Sequence, residues 1–124
     1  EKERDKISGV FIRRLQQGIK LQTDPSLIYG IYQKNREKIT SLNKNQLKED
    51  NAYNTYTRFG LPPTPIALPS KASIKAALNP DNSDYLYFVS DGKGGHIFSN
   101  EYQDHQKAVQ QYRENQKKWR YLSA

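Results

Sequence analysis

Four prolines within residues 62–69 place the strongest constraint on how this chain folds. Proline has no backbone N–H to donate, it fixes φ, and it disfavours a helical conformation in the residue before it. The segment GLPPTPIALP, which starts at Gly60, is therefore predicted to be an extended loop. Ser70 then caps a predicted helix over residues 71–78, and an Asn-Pro pair ends it. The residues predicted to face inward from this helix are Ile74, Ala77 and Leu78.

Apolar residues recur at helical spacing near the start of the chain, which predicts a helix over residues 3–17. The residues on its apolar face are Ile7, Val10, Phe11 and Leu15. Alternation at residues 19–21 then predicts a short strand. Asp24, which a proline follows, is predicted to cap a second helix that runs to about residue 32. The polar residues 33–52 are predicted to be a mobile loop with a short helix near residues 44–48.

The C-terminal half predicts a β-hairpin followed by a long helix. Residues 85–90 are rich in β-branched and aromatic side chains, and a second strand returns at residues 96–99 after a glycine-rich turn. The last helix is predicted over about residues 101–118. The residues on its inner face are Tyr102, Val109 and Tyr112. Residues 1–124 are thus predicted to form a single α+β domain, with a small, mainly antiparallel sheet, helices packed against it and a proline-rich extended loop.

The composition excludes several classes of protein. The chain has no cysteine, which excludes disulfides, zinc–cysteine sites and a thiol nucleophile. No apolar run approaches the ~18 residues that a membrane-spanning helix needs. The formal net charge of +7 favours polyanionic partners, such as nucleic acid, anionic lipid or an acidic cell-wall polymer, or serves solubility alone. The basic residues are scattered, so a nucleic-acid-binding tail is not indicated.

The stretch LQTDPSLIYG, residues 21–30, is a candidate binding surface. It places Gln, Thr, Asp and Pro in a row between apolar segments, whereas an ordinary turn needs one or two such residues. The chain also has nine Tyr against four Phe and one Trp. A Tyr ring with its polar tip suits a groove that binds sugar or peptide, although such residues also occur in cores. For Asp24, helix capping is the structural alternative.

The segment DGKGGH, residues 91–96, is glycine-rich but precedes a strand, so it does not match a phosphate-binding loop. It is interpreted as a hairpin turn, or as a place where a ligand approaches the backbone with His96 facing it. His96 and His105 fall on different predicted elements without further ligands at suitable spacing, so no metal site is predicted. No serine has a local base beside it, and nucleophilic catalysis gains no support.

Five blocks of sequence occur in an order that resembles the endolytic murein transglycosylase family, also called MltG or YceG-like. They are ERDKISGVFIRRL, LQTDPSLIYG, YNTYxxxGLPPTPIALP, YLYFVxDGxGGHxF and HxxAVQ, and they extend from Glu3 to Tyr112. Arg13 departs from the pattern, because the family often has Asn before Arg-Leu; such a change would alter the charge of a binding groove.

The resemblance implies a bacterial enzyme at the periplasmic face of the inner membrane, held by one N-terminal transmembrane helix upstream of this chain. Its substrate would be nascent peptidoglycan glycan strands, cut at the β-1,4 bond between N-acetylmuramic acid and N-acetylglucosamine to leave 1,6-anhydro ends. The implied partners are these strands and the peptidoglycan synthases, and not nucleic acid. Neither a cofactor nor a metal is implied.

The implied chemistry needs one carboxyl group. A Glu with a raised pKa protonates the glycosidic oxygen, and then takes the proton of the sugar's own 6-hydroxyl as that oxygen attacks the anomeric carbon. In the family this Glu lies in an EKE-type motif before the ERDK-type helix start, whereas here only Glu1 and Lys2 precede Glu3. Either the catalytic Glu lies upstream, in a longer protein of which this chain is the interior, or Glu1 is the candidate acid.

The resemblance also implies that polar and aromatic side chains from separated loops line a glycan cleft. The predicted substrate-binding residues are Gln22, Thr23, Asp24, Tyr29, Tyr53, Asn54, Tyr56 and His96. For each of them the alternative is a structural role in holding irregular backbone. Two other functions stay open: a peptidoglycan-binding module without the catalytic Glu and, from composition alone, a basic nucleic-acid-binding domain.

Overall fold

A computed structural model describes the backbone of residues 2–123 and the side chains of residues 3–116. The elements are α1 (Lys2–Gln16), α2 (Asp24–Asn35), α3 (Lys44–Lys48), α4 (Lys71–Leu78), β1 (Tyr87–Ser90), β2 (His96–Ser99) and α5 (Tyr102–Ser123). These helices and a two-stranded antiparallel sheet confirm the α+β class. The proline-rich segment, residues 62–69, contains neither helix nor strand, as predicted.

The chain divides into two compact units. The first joins residues 2–13 to residues 71–123, and the second is Arg14–Ser70. The hairpin, α4 and α5 belong to the first unit, and α2, α3 and the proline-rich segment belong to the second. The boundary falls inside α1. A single domain over residues 1–124 stays a prediction.

In the first unit the two strands form the predicted hairpin, with Phe88 opposite Phe98 in the register. The turn is stabilised by Asp91, whose carboxylate accepts two backbone N–H groups of the turn at 2.7 and 3.0 Å. Gly92 and Gly94 have φ values of +78° and +88°, in the left-handed region that L side chains rarely adopt. The glycines therefore serve the tight turn. β1 begins two residues later than predicted.

Helix α5 packs against both strands of the hairpin. Tyr87 of β1 stacks on His105 of α5 with ring centroids 5.0 Å apart. On the α1 side, Phe11 meets Phe88 edge to face at 5.7 Å. Aromatic pairs of this kind contribute about 0.5–1.5 kcal/mol beyond the area that they bury. These contacts fix the hairpin between two helices.

Helix α4 turns a different face inward from the one predicted, and α5 differs from its prediction in part. In α4 the buried residue is Ala76, and in α5 it is Ala108, with Val109 and Tyr112 half-buried as predicted. The predicted inward residues that are instead exposed are Ile74, Ala77, Leu78 and Tyr102. Three of these four side chains are large, whereas alanine allows a helix to approach its neighbour closely. A shift of one residue in sequence moves from one face of a helix to the next, so the spacing of apolar residues alone does not decide which face is buried.

Arg13 anchors the segment before the hairpin to α1. Its guanidinium donates to the carboxylate of Asp81 at 3.0 Å and to the hydroxyl of Ser83 at 3.1 Å. It also donates to the backbone carbonyls of Asp81 and Tyr85. Burial raises the pKa of Asp81, but hydrogen bonds from Ser83 and Arg13 outweigh it, so the pKa is lowered overall. The planar, many-donor guanidinium thus stabilises residues 81–85 as one piece.

In the second unit the predicted strand at residues 19–21 is wrong, because this segment is a loop. The carbonyl of Lys20 accepts a hydrogen bond from the guanidinium of Arg14 at 2.7 Å. Gln22 has a φ of +52°, and its backbone N–H donates to the carbonyl of Thr55 at 3.2 Å. The side chain of Arg14 and the backbone of Thr55 thus pair with backbone groups of Lys20 and Gln22 that a neighbouring strand would pair in a sheet.

Helix α2 is confirmed, but both of its ends differ from the prediction. Its N-cap is Thr23 rather than Asp24, which is the first helical residue. The helix continues to Asn35, and Arg36 follows in a left-handed conformation, with its N–H donating back to the last turn at 2.7 Å. Negative charge in a first turn interacts favourably with the helix dipole. The carboxylate of Asp24 is therefore well placed electrostatically without serving as the cap.

Helix α3 has the predicted bounds because its first turn closes on itself. The side chain of Asn43 accepts the backbone N–H of Gln46 at 2.8 Å, and the side chain of Gln46 accepts the backbone N–H of Asn43 at 2.9 Å. This reciprocal capping box satisfies two otherwise unpaired donors. It fixes the short helix whose C-terminal carbonyls face the next loop.

We expect Gly30→Ala to destabilise the protein by about 1–2 kcal/mol. In a helix, alanine is ordinarily better than glycine by about 1 kcal/mol. A Cβ at Gly30 would lie 2.5 Å from the side-chain oxygen of Asn51 and 2.9 Å from the Cβ of Tyr53, so the loop must shift. Urea unfolding at 25 °C measures the change. Gln33→Ala on the exposed part of α2 is the control and should leave stability nearly unchanged. A stabilised Gly30→Ala variant would contradict the close contact.

Candidate functional site

Residues 50–58 form an irregular loop that is held by its own side chains. Asp50 accepts hydrogen bonds from the hydroxyl of Thr57 at 2.6 Å and from two guanidinium nitrogens of Arg58 at 3.0 and 3.1 Å. The hydrogen bonds from Arg58, and then that from Thr57, lower the pKa of Asp50. This bidentate pair ties the two ends of the loop together. The predicted substrate-binding residues on this loop are Tyr53, Asn54 and Tyr56.

Asn54 is 0% exposed, and its side-chain amide organises the loop. The amide nitrogen donates to the backbone carbonyls of Leu47 at 3.2 Å and Glu49 at 2.8 Å. Its oxygen accepts the backbone N–H of Tyr56 at 2.9 Å. A buried amide with both donors and its acceptor paired replaces the regular hydrogen bonding that this backbone lacks. The structure therefore places Asn54 behind the surface, as a support for Tyr56.

Three hydroxyl groups join this loop to the start of α2. The Oγ1 of Thr55 lies 3.0 Å from the Oγ of Ser26 and 3.3 Å from the Oγ1 of Thr23, and it accepts the backbone N–H of Thr23 at 2.8 Å. Thr23 and Ser26 are themselves 2.7 Å apart through their hydroxyls. Ser26 and Thr55 are buried. The hydroxyl of Thr23 is thus engaged within the protein, and the cluster fixes the first turn of α2.

Asp24 and Tyr56 form the hydrogen bond that links α2 to this loop at the surface. The phenol of Tyr56 donates to Oδ1 of Asp24 at 2.5 Å. Burial of the half-buried Tyr56 side chain, and then this hydrogen bond, raise its pKa well above the ordinary value, so it stays a protonated donor. Asp24 is exposed. Among the described residues its second oxygen, Oδ2, has no hydrogen-bond partner, so one Asp24 oxygen is oriented by Tyr56 and the other faces solvent.

Tyr29 and Tyr53 bring two aromatic rings together beside this pair of elements. Their centroids are 4.9 Å apart in an edge-on arrangement. The phenol of Tyr53 lies 2.7 Å from the hydroxyl of Thr64 in the proline-rich segment. Both Tyr side chains are half-buried, and Gln22 in the preceding loop is exposed. Rigid rings with accessible edges are suited to lie against sugar rings.

In the first unit, Glu3 and His96 form a two-point contact. The backbone N–H of His96 donates to Oε2 of Glu3 at 2.8 Å, and its ring Nδ1 lies 3.2 Å from Oε1. The side-chain hydrogen bond, and then the backbone one, lower the pKa of Glu3. The imidazole also meets the ring of Phe88 edge to face at 5.6 Å. His96 thus begins β2 with its ring held on one side.

The structure brings most of the predicted substrate-binding residues together in the second unit. Asp24 and Tyr56 are directly bonded, and Tyr29 and Tyr53 are in ring contact. His96 lies in the first unit. Glu1, the candidate catalytic residue, lies outside the described residues. That these residues bind glycan stays a prediction.

Sequence reasoning missed three residues that hold these side chains in place: Ser26, Thr55 and Glu3. Ser26 and Thr55 lie in the segments TDPS and NTYT, which contain predicted substrate-binding residues, but the contact between the two was not predicted. Glu3 lies 93 residues from His96 in sequence. No local pattern encodes a contact of that length.

Other kinds of site find little support in the described part of the chain. Within residues 3–116, no three His, Cys, Asp or Glu side chains are grouped so that they could hold a metal ion. None of the helices described between residues 2 and 123 combines the length and apolar character needed to span a bilayer. A small hollow is lined by Ile31, Lys34, Asn35, Gln46, Glu49 and Asn51. No predicted substrate-binding residue lines it.

Comparison with known proteins decides the family. Residues 1–111 match the YceG-like family. The chain belongs to this family. The resemblance drawn from the sequence blocks is thereby confirmed, and the match extends over nearly all the residues described above.

Two relatives and one solved structure add detail to the YceG-like assignment. The chain is 41% identical over 110 residues to a Bacillus subtilis protein named "Endolytic murein transglycosylase", and 32% identical over 114 residues to a Streptococcus pneumoniae protein of the same name. Each alignment covers 89% of this chain, but 29% of the first relative and 20% of the second. A crystal structure of a YceG-like protein from Listeria monocytogenes has a TM-score of 0.75 at 39% identity, over 83% of this chain and 33% of that one.

We expect Asn54→Asp to destabilise this YceG-like chain by about 2–5 kcal/mol. The substitution replaces the two-donor nitrogen with an oxygen that faces the carbonyls of Leu47 and Glu49, so two buried acceptors lose their partner. Chemical denaturation gives the difference. Asn82→Asp makes the same change at an exposed position and should remain within about 0.5 kcal/mol of the parent. Equal effects at the two positions would contradict the buried role of Asn54.

The Asp50–Arg58 pair predicts a loss of stability in acid. The pKa of Asp50 is lower in the folded state than its usual value of 3.8, so its contribution is present above that value and is lost as the pH falls through the folded pKa. Asp50→Asn should therefore narrow the difference in unfolding midpoint between neutral and acidic pH. Thermal unfolding across this pH range measures it. An unchanged pH dependence in the variant would show that the pair does not stabilise the loop.

Proposed function

We propose that this chain is part of the murein-binding and murein-cleaving domain of an endolytic lytic transglycosylase. The observation that carries the proposal is the 41% identity, over 89% of this chain, to a protein named "Endolytic murein transglycosylase". The chain spans 29% of that relative, so the relative's activity is carried to this chain as a proposal. The arrangement of Asp24, Tyr56, Tyr29 and Tyr53 supports a surface for a polar polymer with flat sugar rings.

The proposed substrate is a peptidoglycan glycan strand, cut at the β-1,4 bond between N-acetylmuramic acid and N-acetylglucosamine. A carboxylic acid donates its proton to the glycosidic oxygen as that bond breaks and the sugar gains oxocarbenium character. The resulting carboxylate takes the proton of the 6-hydroxyl, whose oxygen bonds to the anomeric carbon. The product is a 1,6-anhydro end, without water or a metal in the balance. This carboxyl group is either a Glu upstream of this chain or Glu1, and Glu1 is the candidate within the chain.

Several side chains of the second unit are proposed to bind the strand. Oδ2 of the exposed Asp24 accepts a sugar hydroxyl, while Tyr56 fixes the carboxylate through Oδ1. The paired rings of Tyr29 and Tyr53 cover sugar faces. Gln22 offers an exposed amide. Thr23 and Asn54 support this surface through their internal hydrogen bonds.

The proposed cellular setting follows from the substrate. Nascent glycan strands lie at the periplasmic face of the bacterial inner membrane, where peptidoglycan synthases produce them, so these synthases are the proposed partners. The net charge of +7 suits an anionic cell-wall polymer over a neutral one.

A second candidate is a peptidoglycan-binding module that does not cleave. The observation that favours it is the limited share of the relatives, 20–29%, that the chain covers. Both candidates bind glycan through the same surface, and cleavage separates them.

We expect the purified chain to bind insoluble peptidoglycan and to release fragments that end in 1,6-anhydro-N-acetylmuramic acid. Such fragments are one water lighter than hydrolysis products, which mass spectrometry distinguishes. Glu1→Gln should slow release at least about a hundredfold, because acid–base catalysis contributes 10²–10⁴-fold. Glu114→Gln, which changes the same charge on the exposed face of α5, is the matched control.

Three other outcomes have definite meanings. Binding without cleavage supports the binding module and overturns Glu1 as the catalytic acid. Fragments with reducing ends rather than anhydro ends overturn the proposed reaction. No preference for peptidoglycan over duplex DNA at equal ionic strength overturns both candidates.

A further inference from the structure

The contact between Glu3 and His96 assigns a role to a carboxylate that sequence reasoning left without one. Glu3 contacts the same residue at two points: it accepts the backbone N–H of His96 at 2.8 Å, and its other oxygen lies 3.2 Å from the ring Nδ1. The backbone N–H is always a donor, so it fixes Oε2 of Glu3 as its acceptor. Oε1 is then left to face the imidazole.

The carboxylate decides which ring nitrogen of His96 carries the proton. An ionised carboxylate only accepts hydrogen bonds, so the nitrogen that faces it must carry the hydrogen. That nitrogen is Nδ1. In the neutral imidazole the other nitrogen, Nε2, is then a hydrogen-bond acceptor. The lowered pKa of Glu3 agrees with an ionised carboxylate at neutral pH.

The imidazole is held from several directions at once. Phe88 meets it edge to face at 5.6 Å, and the ring of Phe98 lies 6.3 Å away. The backbone of His96 is paired with Ser90 across the hairpin. Its side chain is still 31% exposed, and within the described side chains Nε2 has no hydrogen-bond partner. The free acceptor is therefore both oriented and accessible.

The turn beside His96 is fixed independently of Glu3. The carboxylate of Asp91 accepts two backbone N–H groups of the turn. A Cβ at Gly95 would crowd the carboxylates of Asp91 and Glu3, so glycine allows both to approach the backbone here. Asp91 is the other charged side chain that acts on Glu3, and its charge opposes the lowering of the pKa. Two carboxylates thus flank the start of β2, and each is satisfied by hydrogen bonds from the hairpin.

We propose that Glu3 is a positioning residue that holds the proton of His96 on Nδ1, so that Nε2 accepts a hydrogen bond from a hydroxyl or N-acetyl N–H group of a bound glycan. The ligand class rests on the proposed function. The tautomer rests on the geometry alone. Glu3 acts through His96 and does not touch the sugar.

Glu3→Gln tests the tautomer because it keeps the shape and reverses one hydrogen bond. The amide oxygen must still accept the backbone N–H of His96, which leaves the amide nitrogen, a donor, facing Nδ1. His96 should then lose the proton on Nδ1 and carry it on Nε2. Long-range ¹H–¹⁵N correlation NMR at about pH 8 reports the two nitrogens separately. His105 serves as the internal control and should not change.

Binding to soluble murein oligosaccharides tests the role of Nε2. We expect Glu3→Gln to weaken binding about two- to tenfold, the range expected for one net hydrogen bond. His96→Ala should weaken it at least as much, and the two changes together should not add. Glu114→Gln makes the same change of charge and should bind like the parent.

The outcomes separate this inference from the proposed function. A parent chain with the proton of His96 on Nε2 overturns the positioning role. A switched tautomer in Glu3→Gln with undiminished binding overturns the glycan contact while leaving the proposed function intact. A folded parent chain that binds no murein oligosaccharide overturns the contact and the proposed function together. A backbone ¹H–¹⁵N spectrum of each variant confirms that it is folded.

Discussion

The buried side-chain amide of Asn54 is the interaction on which the irregular second unit depends. Between α3 and the proline-rich segment the backbone has no ladder or helix to pair its polar groups, yet some of those groups are buried. The Asn54 amide supplies the missing partners in both directions, two donors and one acceptor. Because buried polar groups are costly when unpaired, this fully matched set selects one loop conformation. This loop conformation fixes the positions of Tyr53 and Tyr56.

Periodicity and turn chemistry predicted the elements well, because those signals are local. Capping at Asn43 and the glycines at 92 and 94 act within a few residues, and the structure agrees with both α3 and the hairpin. The faces of α4 and α5 were harder, because burial of Ala76 and Ala108 depends on how closely another element approaches. The strand at residues 19–21 failed for a related reason. The carbonyl of Lys20 has its partner in the guanidinium of Arg14, and the strands described between residues 2 and 123 are the two of the hairpin.

In the candidate site, too, local sequence patterns predicted some features, whereas contacts between residues far apart in sequence were not predicted. The motif around Asp24 and the loop around Tyr56 were predicted to act together, and a hydrogen bond joins them. What sequence reasoning did not provide is which side chains are used internally. Asn54 looks like a sugar ligand by residue type, but its amide is engaged with backbone. Arg13 looks like a surface charge, but its guanidinium anchors residues 81–85. Such roles are set by partners far away in the chain.

The direction of a pKa shift distinguishes a carboxylate that holds a loop or a side chain in place from the carboxylic acid that the proposed reaction requires. A general acid for glycoside cleavage needs a raised pKa so that it still holds a proton near neutral pH. Among the described side chains, the carboxyl groups with a resolved shift are Glu3, Asp50, Asp81 and Asp91, and each pKa is lowered. Hydrogen bonds stabilise their charged forms, which suits holding a loop or an imidazole and opposes proton donation. Glu3 is therefore better suited to orient His96 than to protonate a glycosidic oxygen, and the acid of the proposed reaction is to be sought outside this set of four.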